Sequence, residues 1–223
     1  RAKVHVIHCG IDPEVFSPRE QKQNDGPLKI ICVGSFEEVK GHKYLVEACQ
    51  LLHERSIDFV CDLIGDGPVR NEIAQQIRAA GLQKKVIIHG PKPRQEVVAM
   101  LRAADIKILP SVPTAQGKRE GVPVVLMEAM AMALPVVSSK LSGIPELVDD
   151  GRTGILVTPR DVKGIADALQ SLHEEPELRH KLGLAGREKV MREYNLKKNT
   201  VQLADLIRRG DGANHNSQNP NNK

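Results

Sequence analysis

Six short apolar runs, each followed by a helix-patterned stretch, constrain this chain more than any other feature. The runs are KIICVG (29–34), DFVCDLIG (58–65), KVIIHG (85–90), DIKILPS (105–111), LPVVSS (134–139) and TGILV (153–157). Nearly continuous apolar runs of this length suit strands buried on both faces of a sheet. Between them the apolar spacing changes. Tyr44, Leu45, Ala48, Cys49, Leu51 and Leu52 recur at helical intervals, and Val97, Val98, Leu101 and Ala104 mark one face of a helix over 96–104. Further helices are predicted over 68–80, 122–133, 144–148, with Pro145 in its first turn, and 177–208. Asp161 is placed to cap another that ends near Glu174. Strands at roughly 20–30-residue spacing with helices between them imply βαβ units. Right-handed crossovers then give an α/β domain with a doubly wound, Rossmann-like parallel sheet of about six strands. It is predicted to occupy 21–209. Residues 1–20 read as a lead-in segment, a strand followed by Gly, Asp and Pro turn chemistry. The Asn/Gly-rich stretch 210–223 reads as a disordered tail.

Composition removes several function classes. The net charge is +4 with no Lys/Arg-rich block, so polynucleotide binding is not indicated. With no Trp, two Tyr and three Phe, the chain lacks rings for stacking single-stranded bases or for an aromatic sugar-binding face. Cys9, Cys32, Cys49 and Cys61 form no CxxC pair, which reads as reduced thiols and a cytoplasmic setting. His5, His8 and Cys9 alternate along a short extended segment without a second ligand pair, so no metal is expected. No signal peptide is visible, and the longest apolar stretch is interrupted by Glu128 and Pro135.

Ligands of doubly wound sheets bind outside the carboxyl ends of the strands. That rule selects the loops 34–41, 65–68, 90–93, 111–123 and 138–143. Within them lies an anomaly: VPVVLMEAMAMALPVV (122–137) has Glu128 as its only polar side chain. A helix apolar on all sides is buried, and an unpaired buried carboxylate costs several kcal/mol. Glu128 must therefore have an internal partner or hold a ligand. Glu120 lies eight residues earlier, just before Gly121 and the expected helix start. Helix N-termini attract anions. Gly34 closes the first strand, and Lys40 with Gly41 opens the next helix. Glycine admits a ligand to the backbone and lysine is a point charge suited to phosphate, although Lys40 taken alone reads first as a solvated surface residue. Together these groups outline a nucleotide-sugar site.

The sequence resembles the C-terminal, donor-binding half of retaining glycosyltransferases of family 4, which have the GT-B fold of two facing Rossmann-like domains. The resemblance runs from about Val4 to Arg208. It rests on the E-x7-E arrangement in EGVPVVLMEAMAMALPVVSS (120–139), then SGIPELVDDGRTGILV (142–157), VGSFEEVKG (33–41), LIGDGP (63–68) and ADIKILPS (104–111). The resemblance implies that Glu120 contacts the donor sugar and Glu128 the ribose. It implies that Lys40 and the main-chain amides of Gly121, Val122 and Val124 hold the diphosphate, and that His89 and Gly90 face the base. Gly34, Ser35, Gly65 and Gly67 complete the donor loops. Lys40 and Glu120 carry the catalytic expectation. One residue departs: family members usually have Arg where this chain has Ser35. Lys118 or Arg119 is the expected substitute, against the plainer reading of both as solvated loop cations.

The implied reaction breaks the bond between the anomeric carbon and the diphosphate, with retention, using no metal or cofactor beyond the nucleotide-sugar donor. The acceptor is a glycan or lipid-linked sugar, in bacterial exopolysaccharide or cell-envelope synthesis. An N-terminal acceptor-binding domain is expected as partner and is missing from the chain as given. The fragment alone is therefore predicted to bind nucleotide but transfer no sugar, and to meet a membrane only through the missing half. Two other functions stay open at this point. One is a nucleotide-sugar epimerase or phosphorylase half-domain. The other is a non-catalytic nucleotide-sugar-binding module, which Ser35 favours.

Overall fold

The computed structural model describes residues 4–18 and 26–214. Six strands form one parallel sheet: β1 (Leu28–Val33), β2 (Phe59–Ile64), β3 (Val86–Gly90), β4 (Ile106–Leu109), β5 (Val136–Ser139) and β6 (Ile155–Val157). Their spatial order is β3-β2-β1-β4-β5-β6. The doubly wound fold predicted from strand–helix alternation is the one observed. The order reverses between β1 and β4, which pair through Ile30 with Ile106 and Ile31 with Lys107. Connections leave these two strands in opposite directions and open a crevice beyond their carboxyl ends.

The helices are α1 (His42–Glu54), α2 (Arg70–Ala79), α3 (Arg94–Ala103), α4 (Val124–Ala131), α5 (Ile144–Leu147), α6 (Val162–Glu174), α7 (Pro176–Glu193) and α8 (Leu196–Asn214). A one-turn 3-10 helix, Glu38–Lys40, precedes α1. Asp161 caps α6 as expected, its carboxylate accepting from the Gly164 amide at 2.8 Å. Helix α4 is apolar all round because α7 covers its outer side: Leu126, Met127, Ala129, Met130 and Ala131 are all buried. The last α4 carbonyl, of Ala131, accepts from the guanidinium of Arg187 on α7.

Four expectations are corrected here. The helix predicted over 122–133 begins only at Val124, with Pro123 extended at its N-cap (φ −73, ψ 120). The stretch 177–208 is two helices, broken at Tyr194–Asn195. The lead-in segment has no strand in its described part. Its backbone pairing is the single bridge between Ile11 and Asn195, and Val4 and Val6 are exposed. The tail expected from residue 210 is helical to Asn214, and 215–223 lie outside the described residues. Cys32, Cys49 and Cys61 are buried free thiols and Cys9 is an exposed one. His8 packs its ring on Tyr194, with centroids 4.7 Å apart. Among the described residues no helix is long and apolar enough to cross a membrane.

Candidate functional site

The loops chosen by the strand-end rule do converge, and backbone packing joins them. Gly65 follows β2 at φ 139, and a Cβ there would overlap the carbonyl oxygen of Gly34 at the end of β1. The Phe36 amide donates to Asp66 O at 2.9 Å, and the Val69 amide donates to Phe36 O at 3.0 Å. A Cβ on Gly67 would stand 2.6 Å from that same Phe36 oxygen. Gly90 accepts at 3.0 Å from the Gly65 amide. On the other side, the Val112 amide donates to Val39 O at 2.9 Å, which ties the stretch after β4 to the β1–α1 loop. A Cβ on Gly143 would stand 2.8 Å from a Val122 methyl and 3.2 Å from the Gly121 carbonyl oxygen. Gly34, Ser35, Gly65, Gly67, Gly90 and Gly121 thus belong to one connected set of loops.

Lys40 is not a solvated lysine. Its ammonium bonds Glu120 at 2.5 Å, and the two side chains are 19% and 15% exposed. The two residues expected to act on the donor are therefore each other's partner. Ser35 donates its hydroxyl to Glu37 at 3.2 Å. Lys118 also pairs with Glu37 and holds that carboxyl below its usual range. Of the two residues offered in place of the usual arginine, Lys118 is thus already engaged by a loop carboxylate. Arg119 is exposed and has no ion pair among the described residues.

Glu128 sits in the second turn of α4, with leucine and methionine neighbours buried around it. It is half-buried rather than fully enclosed, and no hydrogen bond or ion pair engages it among the described residues. Burial raises its carboxyl above the ordinary value, and the charges of Arg94 and Lys107 pull it partly back. The internal-salt-bridge reading of Glu128 is not what the side chain does. At the start of α4, Leu126 and Met127 donate to the Pro123 carbonyl. The amides of Val124 and Val125 have no acceptor among the described residues, the usual condition of a first helical turn. Val124 is also exposed. Because the helix starts at Val124, Gly121 and Val122 lie in the loop before it, not in its first turn.

His89 is engaged sideways. Its Nε2 lies 2.7 Å from Asp62 Oδ1, a contact on the β2–β3 side of the loops. Three residues escaped sequence reasoning. Arg94 opens α3, covers the Phe16 ring at 5.3 Å and acts on Glu128. His42 is buried, stacked on Phe36 at 4.4 Å, with both ring nitrogens unpartnered among the described residues. Burial takes it down to about 4, so the ring is neutral at physiological pH. Lys107 is fully buried in the centre of β4. The signal for Lys107 was present: a lone charge inside IKIL is the same kind of anomaly as Glu128 inside α4.

Comparison with known proteins follows the same outline. The family model for glycosyl transferases group 1 matches residues 15–189. The chain is 40% identical over 209 residues to the colanic acid biosynthesis glycosyltransferase WcaL of Escherichia coli, covering 93% of this chain and 51% of WcaL. It is 37% identical over 207 residues to the amylovoran biosynthesis glycosyltransferase AmsK of Erwinia amylovora, again covering 93% of this chain and 51% of the relative. The chain thus spans about half the length of the curated relatives it matches. Among solved structures, it resembles the C-terminal domain of the group 1 glycosyltransferase LpcC from Francisella tularensis. The TM-score is 0.72 and the identity 28%, covering 84% of this chain and 100% of that domain.

Proposed function

Because the chain belongs to the glycosyl transferases group 1 family, we propose that it is the donor-binding half of a retaining, family 4 glycosyltransferase with the GT-B fold. The enzyme moves a hexose from a nucleotide-diphosphate sugar to a glycan or lipid-linked acceptor in bacterial exopolysaccharide synthesis. The observation that carries this reading is Glu128, a half-buried carboxyl in an apolar helix with no bonded partner among the described residues. An acceptor-only group in such a place suits vicinal ribose hydroxyls. The relatives named for colanic acid and amylovoran biosynthesis support the polysaccharide setting. The likeness to an isolated C-terminal domain supports the assignment to that half.

The mechanism follows from the pairings. The diphosphate lies against the Val124 and Val125 amides at the positive end of α4. Lys40 exchanges the Glu120 carboxylate for a phosphate oxygen, and Glu120 is released to accept from the sugar hydroxyls. As the bond from the anomeric carbon to the phosphate oxygen breaks, Lys40 and the helix amides take up the leaving group's charge. The acceptor hydroxyl, held by the other half of the enzyme, attacks the same face and passes its proton to the departing phosphate oxygen. No cofactor beyond the donor enters. The reaction belongs to the cytoplasm, at a membrane only through the other half.

Titration calorimetry with UDP-, GDP- and ADP-sugars tests the reading. Glu128→Gln is expected to weaken the nucleotide that binds by about 1.5–3 kcal/mol, the range for a lost hydrogen bond to a charged group. The melting temperature should not fall, because the substitution removes an ionised group that burial disfavours. An unchanged isotherm would discard the ribose role. The 223-residue chain alone should bind donor yet release no glycosylated product. Turnover would remove the need for a second half.

A further inference from the structure

The strongest unexplained feature of the crevice is the ammonium of Lys107. It is 0% exposed. It donates to Val33 O at 3.3 Å and to Ile108 O at 3.1 Å. Val33 is the last residue of β1, so this charge sits at the carboxyl end of β1 beside β4, where the strand order reverses. Its third N–H has no acceptor among the described residues, and no carboxylate is bonded to it. Lysine is almost never fully buried without such a partner.

The charges around it explain what it can contribute. The β1–α1 loop carries Ser35, Glu37 and Glu38 before its one cation, Lys40. Lys40 is bound to Glu120, and Lys118 to Glu37. A diphosphate arriving at the end of β1 meets Lys40 and Lys118 already paired with carboxylates. Lys107 keeps its charge unspent. We propose that Lys107 is a positioning residue of the donor site: from beneath the crevice its buried ammonium fixes the carbonyl at the end of β1 and supplies the positive charge that the Ser35 loop lacks. This rests on the donor-site reading above and adds to it the residue that favours a diphosphate over an uncharged nucleoside.

The groups facing Lys107 from the surrounding elements are Cys32 of β1, Cys61 of β2, Glu128 of α4, Lys40 of the 3-10 turn and His42 of α1. Burial lowers Lys107 from 10.5 to about 8. Burial also pushes the Cys32 thiol up, and Cys61 rises through its hydrogen bond with Cys49 and its own burial. His42 is held down at about 4. Between about pH 7 and pH 9, Lys107 loses its charge. An anion favours the protonated ammonium, so affinity falls as pH rises through that window.

The test is calorimetric titration of the 223-residue chain and its Lys107→Met variant with UDP, GDP and ADP, and with uridine, guanosine and adenosine, at pH 7 and pH 9. The diphosphate that binds the wild type should bind Lys107→Met roughly ten-fold more weakly at pH 7, the scale of one unit charge acting at moderate effective dielectric. The parent nucleoside should bind both alike. The wild type should lose most of that advantage by pH 9, and the variant should show no such fall. Equal diphosphate affinity at pH 7, or the same pH dependence in both proteins, overturns the role of Lys107 and leaves the donor site standing. If none of the three diphosphates binds the wild type, the donor-site reading falls and this inference with it.

Discussion

Lys107→Met should melt higher than the wild-type chain at neutral pH. Holding an ammonium at 0% exposure lowers Lys107 from 10.5 to about 8, which corresponds to about 3 kcal/mol against the fold. Methionine fills a similar volume without charge, and buried ions replaced by apolar groups often leave proteins more stable. The two carbonyl bonds lost with the ammonium offset part of the gain, at about 1 kcal/mol each. A net rise of about 1 kcal/mol, or roughly 2–4 °C for a domain of this size, is expected in thermal melts near pH 7. The sign depends on pH. Below about pH 8 the lysine is charged in both the folded and the unfolded chain, and the fold bears the whole cost. Between about 8 and 10.5 the folded chain has lost the proton that the unfolded chain keeps, so wild-type stability rises with pH. The advantage of the variant should therefore shrink over that interval and vanish above it. A variant that melts lower at pH 7, or whose advantage is independent of pH, would mean that the ammonium is well compensated.

Gly41→Ala should have the opposite effect, and a larger one. Gly41 joins the 3-10 turn to α1 in the left-handed conformation, φ 72 and ψ 20. An L side chain there costs about 1–2 kcal/mol. A Cβ would also overlap the carbonyl oxygen of Pro110, in the chain leaving β4, so the turn must move away. Overpacking of this kind adds about 1–3 kcal/mol. A loss of about 2–5 kcal/mol is expected in denaturant unfolding. The displaced turn carries Lys40, whose bond to Glu120 spans the two loops. Nucleotide affinity should fall with stability even under conditions where the variant is folded. A Gly41→Ala protein with wild-type stability and binding would show that the close approach of these loops is dispensable.

These two substitutions mark where sequence reasoning ends. Local pattern yielded all six strands and six of the eight helices as separate elements within a few residues, because a sheet covered on both faces needs unbroken apolar runs and its covering helices need an apolar stripe. It merged α7 with α8, because the break at Tyr194–Asn195 is set by contact with the N-terminal segment and not by a Gly or Pro. It placed the start of α4 two residues early, because Pro123 is as comfortable at an N-cap as in a first turn.

For the site, the sequence determined that Gly34, Lys40, Gly65 and Glu120 fall in loops at strand ends and before helices, and that Glu128 lies inside a buried helix, since position in a βαβ unit follows from local pattern. What each side chain is bonded to follows from groups far apart along the chain, and only the tertiary structure decided it. Lys40 meets Glu120 across 80 positions, and Lys118 is drawn to Glu37 across 81. Glu128 is left without a bonded partner among the described residues, and Lys107 is carried beneath the end of β1. Period and propensity act over a few residues, whereas the electrostatics of a crevice is a sum over whatever the fold brings within a few ångströms.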